Sequence, residues 1–294
     1  MRTYRLILAF SGLILVACGS WRLAGRANPV KTISILYTGD IDWTKLPELS
    51  NLIKAEEPAL TIICGRVLDG GLITEQFKGQ AEIEALARSG VNAVCVTPDF
   101  LRQGVRTARR LIDSVAPGVF FLSANLQDSL RQGPFGQVFV KAGRPGSKSG
   151  DRLAVIGLLT DSSSPDLRQP GLTWEDPVKA ARKFLPQMKM NADLLGAALC
   201  PSRDLTLAGF DFAIGERAYE GDTMRHRVLS RRTAAPGTVY RLELQLDEQN
   251  QITGHHVTEL KLESMEPDPA VQAIVQRYQQ QLRTIMDIPP KGGR

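Results

Sequence analysis

Four acidic residues stand where strand-like runs of the sequence give way to loops. Asp40 and Asp42 lie in Thr38-Gly39-Asp40-Ile41-Asp42, Asp99 in Thr97-Pro98-Asp99-Phe100, and Glu216 in Gly215-Glu216-Arg217-Ala218. Carboxylates gathered at strand ends supply oxygen ligands, the donors that a hard cation such as magnesium or calcium accepts. Another strand-like run ends at Gly65-Arg66. A guanidinium carries five N–H donors and no lone pair, so it cannot ligate a metal and instead pairs with carboxylates. Metal-ligating side chains of other kinds are scarce. The chain has 3 histidines, His226, His255 and His256, and none falls at one of these strand ends. Cys64, Cys95 and Cys200 each lie in an apolar run without CxxC or CxxCH spacing, which reads as buried thiols rather than a disulfide framework, zinc ribbon or haem site.

The elements that must carry these residues are visible in the hydrophobic pattern. Apolar, β-branched runs at 32–38, 60–64, 93–97 and 119–123 alternate with helix-period segments at 46–56, 75–89 and 101–115. That alternation predicts an α/β core with mixed or parallel sheets. A strand pair at 137–141 and 153–159 follows, then a helix over 177–190 with Asp176 as its N-cap, and strands at 193–199 and 211–215. A hairpin joins 238–246 to 252–262 and holds His255 and His256, and an amphipathic helix at 270–286 ends the pattern. Apolar content of 43% and charged content of 23% are those of a folded protein. The net charge of +5 is dispersed, apart from Arg102, Arg106, Arg109 and Arg110 on one predicted helix and Arg225, Arg227, Arg231 and Arg232 further on. No aromatic residues interleave these arginines, which argues against nucleic acid; anionic lipid headgroups are the more natural counterpart.

The N-terminus has its own pattern. Arg2 and Arg5 precede an apolar or small-residue run, 6–17, that is too short to span a bilayer. It ends in Leu15-Val16-Ala17-Cys18, which resembles the lipobox of bacterial lipoproteins. The resemblance implies a signal peptide at 1–17, a diacylglyceryl group on Cys18, and a linker at 18–30. It further implies an exported protein anchored to membrane lipid in the cell envelope. Gly19-Ser20 lacks the aspartate that resembles an inner-membrane retention signal, so the outer membrane is favoured.

The series of strand ends resembles the metallophosphatase domain of the 5′-nucleotidase family, within the calcineurin-like phosphoesterases. Ile35-Leu36-Tyr37-Thr38-Gly39-Asp40-Ile41-Asp42 is similar to that family's opening strand and aspartate-x-histidine motif, and Phe121-Leu122-Ser123-Ala124-Asn125 to its leucine-serine-alanine-asparagine strand. Val155-Ile156-Gly157-Leu158, Asp211-Phe212-Ala213-Ile214-Gly215, Gly237-Thr238-Val239 and Asp268-Pro269-Ala270-Val271 resemble its later landmarks. The resemblance implies a four-layer αββα sandwich, two mixed sheets flanked by helices, over 31–266. It places an exit helix and tail at 267–294 and no nucleotide-recognition domain after it. It also implies two bridged divalent metals that clamp a phosphoryl group and generate a hydroxide nucleophile.

The matching positions have changed. Asp40 survives, but Asp42 stands for the first histidine and Arg66 for the bridging aspartate. Thr97 and Pro98 replace an asparagine and a histidine, Pro201 a further histidine, and Glu216 and Ala218 the last two. The favoured expectation is therefore an inactive relative without metal cofactor, in which Arg66 neutralises Asp40 and Asp42 and the fold serves as a binding or assembly module for an envelope partner. The alternative is an active phosphoesterase that holds one or two divalent ions on Asp40, Asp42, Asp99 and Glu216. A two-lobed solute-binding lipoprotein is a third reading, and the single lobe with its closing hairpin counts against it. Asp40 and Asp42 also suit turn positions, and Asp99 a helix N-cap.

Overall fold

The computed structural model describes residues 31–68, 70–128, 135–141, 152–200, 205, 207–215, 228–229 and 238–286. Cys18, the signal and linker segments, Pro201, Glu216, Ala218 and the Arg225–Arg232 cluster lie outside the described residues.

Two sheets lie face to face. The first has the order β13-β12-β1-β2-β3-β4, from Ile252–Lys261, Thr238–Leu246, Lys31–Thr38, Leu60–Ile63, Ala93–Cys95 and Phe120–Leu122. β1 to β4 are parallel, whereas β12 and β13 form the expected antiparallel hairpin at one edge. The second sheet has the order β11-β10-β9-β7-β6, from Val228–Leu229, Phe212–Gly215, Leu194–Cys200, Leu153–Leu159 and Val138–Lys141, with only β6 antiparallel. A small antiparallel pair, β5 (Leu126–Asp128) with β8 (Leu172–Trp174), closes one end.

The strands alternate their side chains between two cores, as a period of two requires. Ile35 and Tyr37 of β1 join Leu60, Ile62, Val155, Ala198 and Phe212 in a core between the sheets, while Leu36 faces the opposite way. On that outer face lie α1 (Leu46–Glu56), α2 (Leu72–Phe77), α3 (Gln80–Arg88), α4 (Val105–Val115) and α6 (Pro269–Met286). The outer face of the second sheet is covered by α5 (Pro177–Asn191), through Ala180, Ala181, Phe184 and Met188. The layers are thus helix, sheet, sheet, helix. No helix among the described residues is long and apolar enough to cross a membrane.

Two expected helices are divided. The segment read as one helix over 75–89 is α2 and α3, broken where Lys78 (φ 55°) and Gly79 (φ 80°) both adopt left-handed backbone. Glycine makes that turn without a Cβ penalty, and hydrophobic periodicity runs through it unbroken. The Thr74 hydroxyl then donates to buried Glu82 and ties the halves together. The segment read as 101–115 is a 3-10 turn, Pro98–Leu101, followed by a short link and α4.

α6 is fixed to the domain by Asp268. Its carboxylate is 4% exposed and accepts from Ser50 Oγ at 2.6 Å, Lys54 Nζ at 2.5 Å and the Ala270 amide at 2.9 Å. The Lys54 and Ser50 bonds hold this carboxyl at about 2, below its ordinary 3.8, against the opposing effect of burial. A carboxyl depressed on folding contributes stability above its unfolded pKa and loses that contribution as pH falls through the folded one, a linkage worth about 2 kcal/mol here. Asp268→Asn is therefore expected to lower the urea midpoint at neutral pH, with the gap to the parent narrowing between pH 4 and about pH 2. An equal gap at both ends of that range refutes the assignment.

Candidate functional site

Parallel strands β1, β2 and β3 end side by side, and the loops that follow bring Asp40, Arg66 and Asp99 together. The close approach depends on Gly65, where a Cβ would lie 2.3 Å from the backbone nitrogen of Asp40 and 2.3 Å from the carbonyl carbon of Gly39. Only glycine allows the two turns to touch. Cys64 N–H donates to the Thr38 carbonyl at 2.8 Å and Ile41 N–H to the Arg66 carbonyl at 2.9 Å, so backbone bonds lock the contact from both sides.

Asp40 is fully engaged by this neighbour. Its Oδ1 accepts the Arg66 amide at 2.7 Å and its Oδ2 accepts Arg66 Nε at 2.8 Å, with Nη2 in ion-pair contact at 2.7 Å. The guanidinium also lies 3.9 Å from Asp99 Oδ2. Asp99 Oδ1 accepts Arg102 Nη2 at 2.7 Å, and Arg102 Nε reaches Asp166 Oδ2 at 3.7 Å. Charges alternate along Asp40, Arg66, Asp99, Arg102 and Asp166, so each carboxylate has a cation beside it. A cleft of about 230 Å³ opens over this row, lined by Arg66, Thr74, Glu75, Lys78, Asp99 and Arg102 among others. The arginines are more than half exposed, which keeps each pair in high dielectric and individually weak.

The remaining expected residues occupy other roles. Arg66 does not pair with Asp42. Asp42 caps the 3-10 turn Trp43–Lys45, its Oδ1 accepting Thr44 N–H at 2.9 Å and Thr44 Oγ1 at 2.8 Å. Asp99 is not an N-cap; that position belongs to buried Thr97, and Pro98 opens the 3-10 turn in which Asp99 sits. Asn125, at the end of β4, is fully buried and structural: it donates to the Leu159 and Glu175 carbonyls at 2.7 and 3.0 Å and accepts Leu159 N–H at 2.8 Å. His255 and His256 lie exposed on the edge strand β13. Cys64, Cys95 and Cys200 are buried free thiols in the core between the sheets. Contact with the Cys64 thiol, together with burial, pushes the Cys95 thiol well up, which suppresses the thiolate.

Arg102 and Asp166 were not singled out as site residues by the sequence. The i,i+3 spacing of Asp99 and Arg102 is a local signal that could have found the first. Asp166 arrives from a distant loop and leaves no such trace.

Sequence comparison finds no matching family profile and no matching curated protein. Comparison of structures does find relatives. A 5′-nucleotidase precursor from Thermus thermophilus superposes with a TM-score of 0.72 at 17% identity, over 87% of this chain and 60% of that one. The NAD nucleotidase of Haemophilus influenzae gives 0.69 at 13% identity, covering 88% and 69%, and a calcineurin-like phosphoesterase of Bacillus subtilis gives 0.66 at 13%, covering 88% and 100%. The fold is that of the calcineurin-like phosphoesterases. The chain spans about 60% of the length of the Thermus nucleotidase.

The metal centre that this fold implies does not fit the described residues. Among them, no group of three or more histidine, cysteine, aspartate or glutamate side chains is placed to hold a metal ion. The obstacle is positive as well. The oxygens of Asp40 already accept two N–H bonds from Arg66 and pair with its guanidinium, which a cation brought to them would meet first.

Gly65→Ala is expected to cost about 2 kcal/mol or more, because its Cβ meets backbone that cannot rotate away. Arg66→Ala is expected to cost under about 1 kcal/mol, with the loss shrinking in high salt. Urea titrations of both variants at low and high salt check the order. A larger loss for Arg66→Ala than for Gly65→Ala would contradict it.

Proposed function

We propose that this chain is a non-catalytic protein of the phosphoesterase fold, anchored through lipidated Cys18 in the cell envelope, where it serves as a binding or assembly module. The observation that carries the proposal is the occupation of Asp40 by Arg66. Phosphoester hydrolysis on this fold needs metals to clamp the phosphoryl oxygens and lower the pKa of a bound water. A fixed guanidinium replaces the charge of those metals without supplying an open coordination position or a hydroxide.

The chemistry of the remaining residues supports a binding role. Arginines held between carboxylates remain able to exchange one partner for an incoming anionic group, since each pair is exposed and weak. The cleft is lined by Arg66, Lys78 and Arg102 together with Glu75 and Asp99, and the arginines are also paired with Asp40 and Asp166. The nucleotidases among the structural relatives supply the fold, not a substrate.

The test combines metal content with activity. Protein purified without chelator is expected to carry substoichiometric magnesium, manganese, calcium and zinc, and to leave nucleoside monophosphates and p-nitrophenyl phosphate intact when these ions are added. Stoichiometric metal together with hydrolysis lost in Asp40→Ala sinks the proposal and restores the active phosphoesterase. The anchor is tested separately. The mature chain is expected to begin at Cys18 with the mass of a diacylglyceryl group, and Cys18→Ser to leave the signal uncleaved.

A further inference from the structure

The exposed face of α4 carries Arg106, Arg109 and Arg110, with Arg109 lying 3.9 Å from Asp113, its one acidic neighbour on the helix. Three cations against one acid leave this face at +2. Where α4 hands the chain to β4, Phe120 is 48% exposed, although its ring meets Phe139 edge-on at 4.9 Å. A groove of about 250 Å³ separates Arg109 from Phe120 and is floored by Ile112, Phe121 and Phe135. The ring points to the sheet face opposite α4, toward Phe139, so arginines and aromatic meet along the β4 edge, a composition that favours the interface of a bilayer.

Topology places the Phe120 end of this patch on the side where β1 begins, while Arg106, in the first turn of α4, lies toward the Arg102 end. β1 to β4 are parallel, so Phe120 at the start of β4 lies at the same end of the sheet as Lys31 at the start of β1. Three strand spacings separate them, roughly 14 Å. The linker at 18–30 can reach at most roughly 45 Å when extended, which keeps the patch within a short distance of any bilayer that holds Cys18. Asp40 follows the other end of β1, eight residues or roughly 25 Å away.

We propose that the Arg106, Arg109, Arg110 and Phe120 face docks on a bilayer rich in anionic phospholipid headgroups and so orients the tethered domain. The proposal rests on the Cys18 anchor for its geometry, but its charge preference is measurable without the lipid. An acidic protein partner would meet the same arginines, yet it gives no reason for an exposed ring beside the tether.

Full-length protein carrying Cys18→Ser is mixed with vesicles of phosphatidylcholine alone, or of phosphatidylcholine with phosphatidylglycerol, and bound protein is measured by flotation. The signal segment, with Arg2 and Arg5, is present in every variant, so the readout is the change in the gap between parent and α4 variants. Binding to the anionic vesicles is expected to exceed binding to the neutral ones by roughly tenfold at low salt, with the gap closing at high salt. Combined Arg106→Gln, Arg109→Gln and Arg110→Gln is expected to narrow it several-fold at low salt, and Phe120→Ser to lower anionic binding several-fold. These residues are exposed, and a melting temperature within a few degrees of the parent confirms that each variant folds. Equal binding to both vesicles by the parent, or a full gap in the triple variant, overturns the proposal. Failure of Cys18 modification is read separately, from the mass of the mature wild-type chain, and leaves this result standing.

Discussion

A carboxylate at the end of β1 has to be neutralised by something, and in this protein the neutralising group is covalently part of the next strand's loop. Asp40 is 38% exposed, receives two N–H bonds from Arg66 and pairs with its guanidinium at 2.7 Å. The arrangement requires the tips of β1 and β2 to touch, which requires Gly65, which in turn requires the two strands to be parallel and in register from Ile35 opposite Leu60 to Thr38 opposite Ile63. Once Arg66 is fixed, its Nε also faces Asp99, and Asp99 holds Arg102, which reaches Asp166. The row is a consequence of one close backbone contact.

Its electrostatics differ in kind from those of a dimetal centre. Two divalent cations hold ligands through directional lone pairs and keep positions open for exchange. A guanidinium holds carboxylates through a flat fork of donors and has no position to open. The same strand ends can therefore be kept in order by either device, but only the first activates water. Stability does not depend on the row in either case. It rests on the core between the sheets and on buried anchors such as Asn125, which joins β4 to the Leu159 end of β7, and Asp268, which joins α6 to α1. The exit helix is held a second time where the Tyr278 hydroxyl donates to Glu84 at 2.8 Å, a contact that with burial raises the tyrosine to about 12.

Much of this was legible in the sequence, for reasons that differ between elements. The run at 60–64 and the alternation through 238–262 are periodic signals, and both became strands within a residue or two of where the pattern put them. Asp176 followed by Pro177 was a cap with a proline behind it, and the cap bond to the Lys179 amide is present at 2.9 Å. The break at Lys78-Gly79 was hidden because the apolar positions on both sides stay in phase. β5 and β8, three residues each, are too short for any period to show. At the site, the pairing of Arg66 with Asp40 followed from residue type and strand order. For Asp42 the sequence left a turn position and a pair with Arg66 both open, and the local turn to Thr44 prevails because a two-residue contact costs less chain ordering than a long-range pair.

The positions of the charges also separate two surfaces that the composition merges into one net figure of +5. Arg66 and Arg102 are each matched by carboxylates within the row, so at the cleft the field is largely cancelled at the range of a Debye length. Arg106 and Arg110 face outward from α4 with Asp113 as the only acid on that helix, so their field persists into solvent. Long-range attraction to an anionic surface therefore belongs to the side of the molecule, beside the point where the chain enters β1, and short-range recognition belongs to the strand ends. In the proposed tethered state, contacts along α4 would bias the orientation of the domain without consuming Asp40 or Arg66.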